Sequence, residues 1–104
     1  MLTVAFDIPQ QELAAFCRKW KIREVSLFGS VLREDFGPES DVDVLVSFDP
    51  SAAYSLLDMV DAELELAQVF GRPVDLLERS AVERSENWIR RRRILESAST
   101  IYAR

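Results

Sequence analysis

Seven residues, VDVLVSF at 42–48, alternate so regularly that they leave little freedom to the fold around them. In an extended chain successive side chains point to opposite faces. Val42, Val44 and Val46 therefore share one face, while Asp41, Asp43 and Leu45 share the other. A strand with one wholly apolar face has to be covered, and the rest of the chain supplies covers of helical period. Residues 9–20 place Leu13, Phe16, Cys17 and Trp20 on one stripe, with Pro9 where a first-turn proline is tolerated. Residues 54–70 form a second amphipathic helix, which the break at Asp49-Pro50-Ser51 introduces and Gly71 caps. Its Leu57, Val60, Leu64 and Ala67 line one face, read as core; Asp58, Asp61, Glu65 and Gln68 line another.

Two further strands accompany the central one. Residues 22–28 put Val25 and Leu27 on one face, and PVDLL at 73–77 reads as a short third strand. A short helix is expected at 30–35, ended by Gly37-Pro38. From Ser80 onward the chain reads as helical, with a C-terminal helix at about 86–103 packing through Leu95, Ala98 and Tyr102. No repeat or linker divides the 104 residues, which form one expected domain. The fold class is α/β (α+β): a small mixed β-sheet covered by helices.

Composition narrows the chemistry sharply. The chain has no histidine, so no imidazole base, His-ligated zinc or Ser-His-Asp triad can be built within it. Its single Cys17 cannot form an internal disulfide, and its place on a packing stripe marks it as structural. No apolar run approaches the ~18 residues that would span a bilayer. The N-terminus lacks the basic start of a signal peptide, and with the free cysteine this points to the cytoplasm. The net charge of −5 is unevenly spread. Residues 79–104 carry seven Arg against three acids, whereas the first 78 carry six basic and fifteen acidic groups. An acidic body argues against general nucleic-acid binding, and the split suits a protein that holds cations at one place and meets a partner at another. The arginine run at 90–93 reads as a solvated face.

What chemistry remains must rest on carboxylates, Ser, Arg, Lys, Tyr and a metal held through oxygen. Asp41 and Asp43, two apart on a strand, have Cα atoms ~6.6 Å apart on one side and can converge on a hard cation such as Mg²⁺. Alone, that pair is common on solvent-facing strands. Here a strand also runs into Gly29-Ser30 and a short helix, twelve residues before Asp41. Glycine lets backbone approach a ligand, a helix N-terminus favours phosphate, and the Ser30 hydroxyl can donate to a phosphate oxygen. The turn at 37–40 then returns the chain so that the two strands lie side by side. A phosphate cradle beside a divalent-metal site is what transfer from a nucleoside triphosphate requires.

The segment LFGSVLREDFGPESDVDVLVSF resembles the signature of the DNA polymerase β-like nucleotidyltransferase superfamily: Gly-Ser, ten residues, then Asp-x-Asp. In detail the chain resembles the minimal nucleotidyltransferase group, short prokaryotic proteins that often serve as antitoxins. Ser40, Arg33, the later Val74-Asp75-Leu76 and the tail from Asn87 to Tyr102 also match, so the likeness covers residues 22–104 with its core motif at 28–48. Val31 and Glu34 depart from the Arg and Gly of many relatives. The resemblance implies the polymerase β-like nucleotidyltransferase fold. It assigns Gly29, Ser30, Arg33 and Ser40 to the triphosphate of ATP, and Asp41 and Asp43 to Mg²⁺, as two ions. Asp75 completes the acidic triad, as a metal ligand or as the group activating the attacking hydroxyl.

So short a chain leaves little room for an acceptor domain, which puts the acceptor on another protein. The resemblance supplies a HEPN-domain toxin, a ribonuclease neutralised when a tyrosine hydroxyl is adenylylated, held in a hetero-oligomer. Two alternatives stay open: an antitoxin that neutralises by binding alone, and a nucleotidyltransferase acting on a small-molecule hydroxyl.

Overall fold

A computed structural model describes residues 8–29 and 41–104. The described chain runs α1 (Gln10–Trp20), β1 (Ile22–Phe28), β2 (Val42–Phe48), α2 (Leu56–Phe70), β3 (Val74–Glu78), α3 (Arg79–Glu83), α4 (Trp88–Ser97) and β4 (Ser99–Ala103). The four strands form one mixed sheet in the order β3-β2-β1-β4. β2 pairs antiparallel with β1 and parallel with β3, and β4 pairs antiparallel with the far side of β1. The mixed sheet covered by helices is the expected fold class.

The alternation of β2 divides the molecule into two cores. Val42, Val44 and Val46 are fully buried in the larger one, with Val25 and Leu27 of β1, Leu13, Phe16 and Cys17 of α1, and Ala62, Leu66 and Phe70 of α2. On the opposite face Leu45 and Phe28 meet Val82 of α3 and Ile94 of α4. Both cores consist of aliphatic and aromatic groups, whose removal from water is the main favourable term. Burial pushes the Cys17 thiol up to about 12, against a weaker pull from Arg104 and Arg18, so it stays a neutral packing group.

Local chemistry sets the helix ends. Ser55 caps α2 through a reciprocal box: its hydroxyl accepts from the Asp58 N–H at 3.1 Å, and the Asp58 carboxylate accepts from the Ser55 N–H at 2.9 Å. This start lies beyond the expected Asp49-Pro50-Ser51 break. There Asp49 instead closes its own turn by accepting from the Ser51 N–H and hydroxyl. Gly71 ends α2 in the left-handed region at φ 68°, as its sequence position implied. Lys21 ends α1 in the same region at φ 56°, with its N–H on the Cys17 carbonyl, although it carries a side chain. A clamp joins α1 to α2, since Lys19 and the Trp20 indole both donate to Glu65. The Lys19 hydrogen bond, with help from Trp20, holds the Glu65 carboxyl below its usual range.

Two expectations are corrected. The tail is not one helix to residue 103. α4 stops at Ser97, and Ser99–Ala103 forms β4 on the open edge of β1. Thr100, Ile101 and Tyr102 suit a strand better than a helix, and the buried Ser26 hydroxyl meets that of Thr100 at 3.2 Å. The spacing of Leu95, Ala98 and Tyr102 carries no helix beyond Ser97. The face of α2 read as core also points to water: Leu57, Val60 and Leu64 are 76%, 47% and 60% exposed. The helix packs through Met59, Ala62, Leu66, Val69 and Phe70 instead. Both arcs have helical period, and only contact with the sheet selects one. The short helix expected at 30–35 lies outside the described residues.

The left-handed Lys21 yields a direct test of this geometry. A side chain there costs about 1 kcal/mol that glycine avoids. Lys21→Gly is expected to stabilise the chain by roughly 0.5 kcal/mol once the added freedom of the unfolded state is subtracted, read as a higher denaturation midpoint in urea.

Candidate active site

β1 ends at Phe28, which stands opposite Asp43 in the antiparallel register, and the chain then turns through Gly29 at φ 74°. A Cβ on Gly29 would lie 2.3 Å from an Asp43 carboxylate oxygen and 3.2 Å from its Cγ. The carboxylate therefore rests against the Gly29 backbone where no side chain fits. Two constraints, a positive φ and a filled Cβ position, require glycine here.

On the other side of β2 the parallel register sets Asp43 directly opposite Asp75. Neighbouring strands lie about 4.8 Å apart, so the two carboxylates rise side by side from one face of the sheet. It is the face of Leu45 and Leu77, at the end where β2 and β3 begin. Asp41 precedes β2 by one residue and is exposed; Asp43 is half-buried and Asp75 exposed. Asp43 and Asp75 thus come to one end of one sheet face, with Gly29 against Asp43 and Asp41 one residue before β2. Ser30, Arg33 and Ser40, and the departures Val31 and Glu34, lie outside the described residues.

Sequence reasoning missed Glu63. From α2 its carboxylate accepts the outward N–H of Leu76 at 2.8 Å, tying the helix to β3 one residue past Asp75. β3 is an edge strand, and this bond occupies a donor that another strand could otherwise take. An acid beside the inward arc of α2 was the available signal. The arginine run largely matches its reading as a solvated face. Arg90, Arg92 and Arg93 are exposed, whereas Arg91 donates to the Ser85 carbonyl at 2.8 Å.

The donor set is all oxygen, as a hard divalent cation requires. Among the described residues no three acidic side chains stand close enough to enclose an ion by themselves. Mg²⁺ does not need that, because it takes one or two carboxylates and completes its shell with water and phosphate oxygens. Asp43 and Asp75, in register on neighbouring strands, fit such a partial shell.

A nucleotidyltransferase domain model matches residues 11–101. The chain belongs to the nucleotidyltransferase domain family. A Methanocaldococcus jannaschii relative that bears a protein adenylyltransferase name is 41% identical over 59 residues, which are 57% of this chain and 61% of that protein's own length. A minimal nucleotidyltransferase structure superposes with a TM-score of 0.64 at 26% identity, covering 91% of this chain and 96% of the other. A chain from a complex of tri-AMPylated Shewanella oneidensis HEPN toxin with MNT antitoxin superposes with a TM-score of 0.60 at 18% identity. That match covers 91% of this chain and 70% of the other and shares the fold. No described helix is long and apolar enough to cross a membrane.

The site geometry makes two stability predictions of opposite sign. Like charges directly opposite on paired strands repel, so Asp75→Asn is expected to stabilise the metal-free chain by roughly 0.2–1 kcal/mol in urea unfolding. Gly29→Ala combines a left-handed alanine with displacement of the Asp43 carboxylate. It is expected to destabilise by about 1–3 kcal/mol in the same measurement.

Proposed function

We propose that this chain transfers an adenylyl group from ATP to a hydroxyl on a partner protein, a tyrosine of a HEPN-domain toxin, and so acts as an antitoxin. The observation that carries the reading is the Asp43 carboxylate seated on Gly29 and in register with Asp75. Two carboxylates held together beside a side-chain-free turn are costly for stability alone and useful where a cation and a phosphate must meet. The adenylyltransferase name of the M. jannaschii relative and the AMPylated HEPN toxin in the Shewanella complex support adenylyl transfer and the choice of partner.

The chain's own residues divide the work. Gly29, with Ser30, Arg33 and Ser40, receives the triphosphate, since backbone N–H groups, hydroxyls and a guanidinium all donate to phosphate oxygen. Asp41 and Asp43, with Asp75 beside them, would hold Mg²⁺. Bound there, the ion neutralises charge developing on the phosphates. The acceptor oxygen attacks the α-phosphorus as the bond from that phosphorus to the bridging oxygen breaks, and pyrophosphate leaves. The acceptor's proton passes to Asp75, a positioned carboxylate within the same acidic group.

The test combines the chain, a HEPN-domain protein of the same genome, Mg²⁺ and ATP labelled at the α- or the γ-phosphate. Label is expected on the HEPN protein from the α position only, and to fall to background with Asp43→Asn or with EDTA. Neutralisation of the toxin that survives Asp43→Asn without label transfer would establish binding alone as the mechanism.

A further inference from the structure

α4 crosses the same face of the sheet that carries Asp43 and Asp75, packing through Ile94 on Leu45 and Phe28. Near its start, Arg90 and Arg91 line a hollow with Leu77 and Glu78 of β3. Just past its end, Ser99 pairs with Leu27 of β1. The helix therefore begins over β3 and ends on the β1 side. The hollow measures about 160 Å³ and lies between α3 and α4, floored by Leu77, Val82 and Ile94 with Ala81 beside them. Leu77 follows Asp75 by two residues on β3, so hollow and carboxylate share one strand and one face.

Position selects the occupant. In phosphoryl transfer the entering and leaving oxygens stand roughly in line across the phosphorus. Gly29, Asp43 and Asp75 follow one another across β1, β2 and β3. With the triphosphate running toward Gly29, pyrophosphate leaves on the β1 side. The acceptor then enters from the side of β3, where α4 begins.

Charge selects the kind of segment. Residues 79–97 hold six Arg against three Glu. Arg79 reaches Glu24, Arg92 pairs with Glu96, and Arg91 is engaged by the Ser85 carbonyl. Arg84, Arg90 and Arg93 are exposed and form no ion pair with any described residue. Among the acids, Glu78 at the hollow accepts the Ser80 hydroxyl, and Glu83 lines a separate hollow beside Phe48 and Tyr54. Only Glu86 is left near the start of α4. Trp88 and Ile89, in that first turn, are 58% and 49% exposed. Free guanidinium groups around an apolar hollow fit an acidic segment that carries an apolar or aromatic anchor. Two copies meeting through α4 about a two-fold axis would instead set arginine against arginine.

We infer that the hollow between α3 and α4, with the arginines around it, docks the acceptor protein through an acidic segment bearing an apolar or aromatic anchor. The inference rests on the reading that the chain transfers a nucleotidyl group to a separate protein, and its test tells the two apart. The HEPN-domain protein of the same genome is titrated at low and high salt with the wild-type chain, with Arg90→Glu/Arg93→Glu, and with Ala81→Trp. The last fills the hollow without changing charge. Mg-ATP binding and label transfer are followed in parallel. All three positions are exposed, so both variants are expected to keep the wild-type circular dichroism and Mg-ATP affinity. Wild-type binding is expected to weaken with added salt. The charge reversal is expected to lower affinity at least about tenfold and to remove most of that salt dependence. Ala81→Trp is expected to lower affinity several-fold and to keep it.

Wild-type affinity in the charge-reversed chain overturns the docking site and leaves adenylyl transfer standing. Loss of Mg-ATP affinity in that chain, with its fold intact, assigns the arginines to the nucleotide and also overturns the inference. A complex weakened as expected, with no label transferred by the wild type, keeps the docking site and removes the catalytic reading. Absence of any wild-type complex overturns the docking site whatever the label shows. Self-association in sedimentation equilibrium, or binding of a single-stranded RNA, that the charge reversal abolishes gives the surface to that occupant and overturns the inference.

Discussion

Every layer of the molecule is organised by the hydrogen-bonding of β2 on both edges, antiparallel to β1 and parallel to β3. Because it is paired on each side, its alternation cannot slip by one residue without moving the three valines out of the larger core. That core joins β2 to both long helices, whereas Leu45 on the reverse face anchors α3 and α4. The same alternation that buries Val42 and Val44 must present Asp43 on the opposite side. Core and candidate site are two faces of one strand, and neither can be shifted alone.

The positions around Asp43 extend that constraint into chemistry. Its carboxylate fills the space where a Gly29 side chain would stand, and its strand neighbour is a second carboxylate, Asp75. Such an arrangement sacrifices stability locally: a left-handed turn and two adjacent like charges each disfavour the folded state. The Glu63 bond to the Leu76 backbone fixes the outer strand in the position that keeps Asp75 in register. Rigid pairing on both sides, rather than a flexible loop, therefore sets the spacing of the described acids.

α2 carries the opposite kind of imbalance. Its capping box and left-handed glycine define a well-bounded helix, and its inner arc is ordinary core. Its outer arc nevertheless leaves large aliphatic groups in water between acidic seams. Exposed Leu56 and Leu57 near its start contribute nothing to the fold described. The carboxylates of β2 and β3 stand on the opposite face of the sheet from α2, so the exposed stripe and the candidate site are separate features of the molecule.

Much of this was legible in the sequence because it depends on local period and local chemistry. The alternation at 42–48 determined a strand and the side on which its aspartates stand. The absence of histidine determined that no imidazole takes part in any catalysis within the chain, and the Gly-Ser to Asp-x-Asp spacing pointed to the family. Gly71 announced its cap because only glycine adopts a left-handed turn without strain. Tertiary structure decided what local period leaves degenerate. Either apolar arc of α2 could have faced inward, and contact with the sheet chose Met59, Leu66 and Phe70 over Leu57 and Leu64. The last five strand residues were compatible with two periods until the free edge of β1, far earlier in the chain, supplied hydrogen-bond partners for one of them. The register that sets Asp75 against Asp43 is likewise a pairing between distant segments. A sequence records each strand's own period, but the partner that completes its hydrogen bonds is settled only when the chain closes on itself.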